Sequence, residues 1–194
     1  MIELVSLTSP DNLKFKPIKF KKGLNIILGE KITSNKKDSI NGVGKSLSIE
    51  LISYMLAGKS SKINNILQKT NTTLNLIFKI HENIHSIQRD GKNIFLDEEK
   101  ISLKELQEWF DAAFNLPFSF RQVFVRFNRK EYSTPIEQIK NEDKFVNNKI
   151  NAYLLHLNYE FVTKKEYLYK KNEMLKNIIQ YIKELKEETN QEKK

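Results

Sequence analysis

The sequence predicts an α/β fold organised around a phosphate-binding loop, and three observations carry that prediction. Leu24-Asn25-Ile26-Ile27-Leu28 is a short apolar, β-branched run of the kind that forms a buried strand. Asn41-Gly42-Val43-Gly44-Lys45-Ser46 is a glycine-containing loop closed by Lys-Ser. Leu47 to Leu56 is apolar nearly all round and is followed by Gly58, which reads as a buried helix with a glycine stop. Strand, loop, Lys-Ser and helix in that order are the context a P-loop requires. There the loop backbone wraps close to phosphate oxygens, and the N–H groups opening the helix point at them. Lys45 is expected against the β- and γ-phosphates and the Ser46 hydroxyl on Mg²⁺, with Asn41, Gly42, Val43, Gly44 and Leu47 completing the site. The full pattern has a glycine at position 39, where this chain has Ser39. Gly29 is the candidate for the glycine that closes the strand, which leaves Glu30 to Ile40 as an insertion. The flanking strand and helix weigh against an ordinary glycine-rich turn with a chance Gly-Lys-Ser.

The elements follow in order. Ile2 to Leu7 and Leu13 to Phe20 read as two strands before the one entering the loop, separated by turns at Ser9-Pro10-Asp11-Asn12 and Lys21-Lys22-Gly23. The insertion carries Lys31, Lys36 and Lys37, so it either lies over bound phosphates or is a solvated loop. Lys59 to Thr70 reads as polar linking sequence with Ile63, Ile66 and Leu67 as anchors. Leu74, Leu76, Phe78 and Ile80 alternate with polar residues as a half-buried strand, Ile84 to Arg89 as its hairpin partner, and Asn93 to Leu96 as a third strand after Asp90-Gly91. Ser102 and Glu105 form a capping box for a helix through Phe114, whose core residues are Leu103, Leu106, Trp109, Phe110 and Ala113. Phe120, Phe124 and Phe127 have helical spacing and read as a core face, while Arg126, Arg129 and Lys130 are open to either a structural or a nucleic-acid role. From about Asp143 the chain reads as one long helix. Past Tyr159 it tightens to a heptad with Phe161, Leu168, Leu175 and Ile182 at one position and Ile178 and Leu185 at the other.

Two stretches imitate catalytic motifs. His81-Glu82-Asn83-Ile84-His85 matches the H-E-x-x-H pattern of zinc peptidases, which needs both histidines on one helical face; the alternating flanks predict a hairpin instead. Ile94-Phe95-Leu96-Asp97-Glu98 imitates a Walker B strand, in which Asp97 would sit on the Mg²⁺ shell and Glu98 on the attacking water. Its short apolar run after an Asp-Gly turn predicts a hairpin strand here too.

Composition narrows the class. A chain of 194 residues can bury one good core, or one domain plus an extension. It has no apolar run long enough to span a bilayer and no charged-then-apolar leader, so a cytoplasmic protein without a membrane partner is expected. Zero cysteines exclude disulfides, thiolate metal sites and a thiol nucleophile. The net charge of +9, from 33 Lys and Arg against 24 Asp and Glu, permits nucleic-acid binding without requiring it.

Three strands, the Asn-Gly-Val-Gly-Lys-Ser loop, a buried helix, a β-meander, a helical region and an outgoing coiled coil resemble the N-terminal half of an SMC-type ABC ATPase head. Gly23-Leu24-Asn25-Ile26-Ile27-Leu28-Gly29 followed by an insertion and the loop is similar to the SMC-like ATPases of bacterial ABC-three-component systems. So is Ser119-Phe120-Arg121 ahead of Leu154-Leu155-His156-Leu157, where that family tends to have Leu-Leu-Gly-Leu. The resemblance implies a P-loop ABC/SMC-type half-head with a mixed β-sheet over residues 1–158 and the start of a coiled-coil arm over 159–194. It implies ATP and Mg²⁺ as cofactors, with Gln122 as the Mg²⁺-linked Q-loop glutamine. The implied partners are a C-terminal half joined through the coiled coil, a second head on ATP binding, and DNA bound without sequence preference in genome maintenance or defence. No Leu-Ser-Gly-Gly-like signature and no convincing Walker B strand is present, so the expectation is a fragment, a truncated product or one part of a split protein that hydrolyses ATP only when completed. The alternatives are a non-catalytic coiled-coil adaptor whose P-loop binds nucleotide for structure and, more distantly, a zinc hydrolase.

Overall fold

A computed structural model describes residues 2–12, 15–27, 45–128 and 143–191. The chain forms two compact units, Met1–Pro135 and Ile136–Lys194. Among the described residues there are six strands in one sheet and six helices, an α/β arrangement.

The sheet has the order β2-β1-β3-β4-β5-β6, with β1 Ile2–Thr8, β2 Ile18–Lys19, β3 Leu74–Ile80, β4 Asn83–Arg89, β5 Ile94–Leu96 and β6 Glu99–Ile101. Every pairing is antiparallel. The strict alternation in β3 sends Leu74, Leu76, Phe78 and Ile80 to the covered face. Register then builds rows across the strands. Leu7, Leu76, Ile87 and Leu96 stand side by side and are all buried. The row Leu74, Arg89, Ile94 and Ile101 puts an arginine among aliphatics. Over this face lie α1 Lys45–Met55, α2 Ser61–Thr70, α3 Leu103–Phe114 and α4 Phe120–Phe127, which contribute Leu51, Tyr54, Met55, Ile63, Leu67, Leu106, Phe110 and Phe120 to one core. Phe120 stacks on Phe110 at 4.5 Å and on Phe114 at 5.0 Å, joining α4 to α3.

The expected meander and the capped helix over 102–114 are present: Ser102 accepts from the Glu105 N–H while Glu105 accepts from the Ser102 N–H. The two motif mimics are turns. His81 and Glu82 join β3 to β4, and Asp97 and Glu98 join β5 to β6 with φ of 48° and 71°, the paired positive φ of a tight hairpin.

Several expectations need correction. The sheet is antiparallel among the described residues rather than mixed, because 24–27 form no strand and Leu24 is 87% exposed. Asn25 explains this locally: its side chain accepts from the Lys21 N–H and donates to the Lys21 and Gly23 carbonyls, closing a loop where a ladder would need open backbone. Leu28 lies outside the described residues. The strand expected over 13–20 is reduced to Ile18–Lys19, with 13 and 14 outside the description. The linking sequence after α1 is a helix, α2, capped by Ser60 and seated through Ile63 and Leu67, while Ile66 is exposed. α4 buries Phe120, Val123 and Arg126, and its Phe127 is 71% exposed, so the face is rotated from the one that phenylalanine spacing suggests.

The second unit contains α5 Lys144–Leu154 and α6 Glu160–Gln191 in place of one continuous helix. His156 adopts φ 56°, the Leu157 N–H reaches the Ala152 carbonyl and the His156 N–H the Tyr153 carbonyl, which is a Schellman stop. Asn158 then accepts from the Glu160 N–H and starts α6. Lys149 on α5 pairs with Glu166 on α6, and Phe145 lies 5.6 Å from Tyr169 between ring centroids.

Candidate nucleotide site

The site is built on α1. Its first residue is Lys45, so the helix begins where the Gly-Lys-Ser sequence requires it to begin. Ser46 and Leu47 in the first turn are exposed. Asn41, Gly42, Val43 and Gly44, together with the 30–40 insertion, lie outside the described residues, as does the Lys45 side chain. The first turn of α1 carries no acidic residue, so the turn itself adds no negative charge at the positive end of the helix dipole.

The other end of α1 is clamped. Arg89, 3% exposed, projects from β4 and donates from Nη1 to the Tyr54 carbonyl and, at 3.0 Å, to the Gly58 carbonyl. Its guanidinium lies 3.6 Å from the centre of the Tyr54 ring. Arg121 on α4 donates to the Leu56 carbonyl at 2.8 Å and the Ser53 carbonyl at 3.1 Å. Gln107 on α3 donates to the Ala57 carbonyl at 3.2 Å. Three elements thus satisfy carbonyls that a helix end leaves open, and two of the side chains place positive charge at the negative pole of the dipole. Burial pulls both guanidinium pKa values down, with Tyr54 partly offsetting this at Arg89. Burial likewise pushes the Tyr54 hydroxyl up, and it bonds to Asn64 Oδ1 at 2.6 Å.

Gly58 has a role different from the glycine stop expected of it. The left-handed residue at this helix end is Ala57, with φ 60°. A Cβ on Gly58 would stand 2.4 Å from the Ser53 carbonyl oxygen, so glycine is required here by close approach.

Gln122 sits at the N-terminus of α4, where its Oε1 faces the Ser119 N–H at 3.3 Å in a capping box. Its neighbour Arg121 reaches the C-terminal end of α1, whereas Ser46 opens the N-terminal end. A metal role for Gln122 requires it to leave its cap.

Comparison with protein-family models, curated proteins and solved structures returned no match. The functional reading accordingly rests on the residues. Among the described residues no group of three His, Cys, Asp or Glu is placed to hold a metal ion, and no helix is long and apolar enough to cross a membrane. His85 instead pairs with Asp97 at 2.7 Å and lies edge-on to Trp109 with centroids 4.9 Å apart.

Sequence reasoning missed the clamp. A signal for it exists: Arg89 follows Ile87 at the two-residue spacing of the buried face, so its position in the pattern is an inward one. Nothing in the spacing names the carbonyls it meets.

Proposed function

We propose that this chain is an ATP·Mg²⁺-binding half-head of the SMC-like ABC type, which projects α6 as a coiled-coil arm and works on DNA. The observation that carries the reading is α1 itself: a helix opening at Lys45-Ser46 directly after Gly-Val-Gly, anchored by two arginines at its far end and exposed at its near end. Such a helix is a fixed positive pole for a phosphate. Lys45 would hold the β- and γ-phosphates, Ser46 the metal, and the loop over 41–44 would supply backbone donors. The bound Mg²⁺ would neutralise developing charge on the phosphates.

Two further features support this reading. His156 occupies a left-handed position at the residue where the resembled family tends to have glycine. Leu24, Ile26, Leu47 and Ile49 are exposed on the segments flanking the loop, aliphatic surface that a complementary half would cover. Hydrolysis would need that half to bring a Walker B carboxylate and a signature motif, since Asp97 and Glu98 lie in a hairpin turn. The +9 charge would supply weak DNA contacts that fall steeply with salt.

Reconstitution tests the proposal. Adding a C-terminal half with a returning helix should produce a stoichiometric complex with Lys45-dependent ATPase activity, while the chain alone turns over negligibly. Lys45-dependent turnover by the purified chain alone would contradict the division of labour, and a stable complex without activity would favour the adaptor role.

A further inference from the structure

The arm carries a pattern beyond a single heptad seam. Between Leu175 and Leu185 the apolar residues of α6 are arranged symmetrically about Gln180: Ile179 and Tyr181 flank it, Ile178 and Ile182 come next, then Leu175 and Leu185. All six are exposed, Tyr181 by 61%. A two-fold antiparallel pair of helices centred on Gln180 matches each residue with the one equally far on its other side, and a two-fold interface requires that self-complementarity. Leu175 then meets Leu185 of the second copy and Ile178 meets its Ile182, the alternating contacts of a coiled-coil core. Ile179 and Tyr181 flank that core on its two sides.

We infer that the arm binds a second copy of this chain as an antiparallel pair centred on Gln180. The occupant follows from symmetry, and its orientation from charge. A parallel pair in register would set Lys164 against Lys164 and Lys171 against Lys171 in the seam, whereas the antiparallel register carries both lysines past the apolar section. The section is about 16 Å long. Its interface falls below about 1,200 Å² in total, at the weak end of specific contacts, so the dimer is expected to be readily reversible. This inference goes beyond the ATP-binding reading and stands on α6 alone. A returning helix, once supplied, would compete for the same stripe.

The chain lacks cysteine, so introduced thiols report without interference. Full-length Leu175→Cys and Leu185→Cys variants, treated with a short bis-maleimide, should cross-link when mixed and not when alone. Sedimentation of the unmodified chain at micromolar to millimolar concentrations should show a monomer–dimer equilibrium. Ile182→Glu should weaken it at least tenfold with the far-ultraviolet circular dichroism unchanged. A monomer throughout that range, a Leu175→Cys variant that cross-links to itself, or a dimer indifferent to Ile182→Glu would each overturn the inference.

Discussion

Replacing Arg89 with methionine should destabilise the first unit by about 2–3 kcal/mol, and the structure shows where that figure comes from. The side chain makes two charge-assisted hydrogen bonds to carbonyls at the end of α1 and covers the Tyr54 ring. Hydrogen bonds involving a charged group contribute roughly 1.5–3 kcal/mol each, and a desolvated cation over an aromatic ring about 2. Two effects act against this sum. Burial of the guanidinium is costly, since it lowers the pKa and Nε has no partner among the described residues, and methionine removes that cost. The Tyr54 carbonyl also keeps the Gly58 N–H at 3.0 Å, so only the Gly58 carbonyl loses its donor. The balance favours the arginine by a few kilocalories, equivalent to a fall in Tm of about 5–10 °C. Urea denaturation followed by circular dichroism measures it directly. An Arg89→Met variant within about 0.5 kcal/mol of the parent would refute the claim that α1 is held at its C-terminal end.

Gly58→Ala should cost about 1–3 kcal/mol in the same assay, since its methyl meets backbone rather than a movable side chain; an unchanged midpoint would show that the 53–58 turn yields freely. In the second unit the Glu166 carboxyl is held below 4.5, chiefly by its hydrogen bond from Lys149 and then by Lys170. Its contribution is therefore fully present above pH 4.5 and is lost as pH falls through the lowered folded value. A carboxyl titration by NMR should find that depression and lose most of it in Lys149→Met, and equal titration in both proteins would show that the bridge does not hold the carboxylate.

What was legible in the sequence was what local pattern encodes. Alternation in Leu74-Asn75-Leu76-Ile77-Phe78-Lys79-Ile80 and the Ser102–Glu105 spacing each define an element without tertiary information, and both were read correctly. The failures have separate causes. Asn25 turns an apolar run into a loop by bonding to Lys21. His156 ends a helix in a left-handed conformation with no glycine to announce it. α2 was masked by its polarity, since only Ile63 and Leu67 need to face inward for ten residues to be helical. At the candidate site, a helix next to the Lys-Ser pair was legible from motif and context, although it opens at Lys45 and not at the expected Leu47. The arginines that hold α1 in place come from β4 and α4 and became visible only with the fold. Gln122 was named for its position between meander and arm, and its side chain lies in a cap that the preceding serine, Ser119, could have signalled.

The central claim is that phosphate binds at the N-terminus of α1, and calorimetric titration of MgATP into the chain and into Lys45→Ala tests it most directly. Saturable binding to the parent and none detectable to the variant are expected, with identical circular dichroism, because the substitution removes charge at an open helix end and leaves the core intact. Equal affinity in the two proteins, or no binding to the parent, would contradict it.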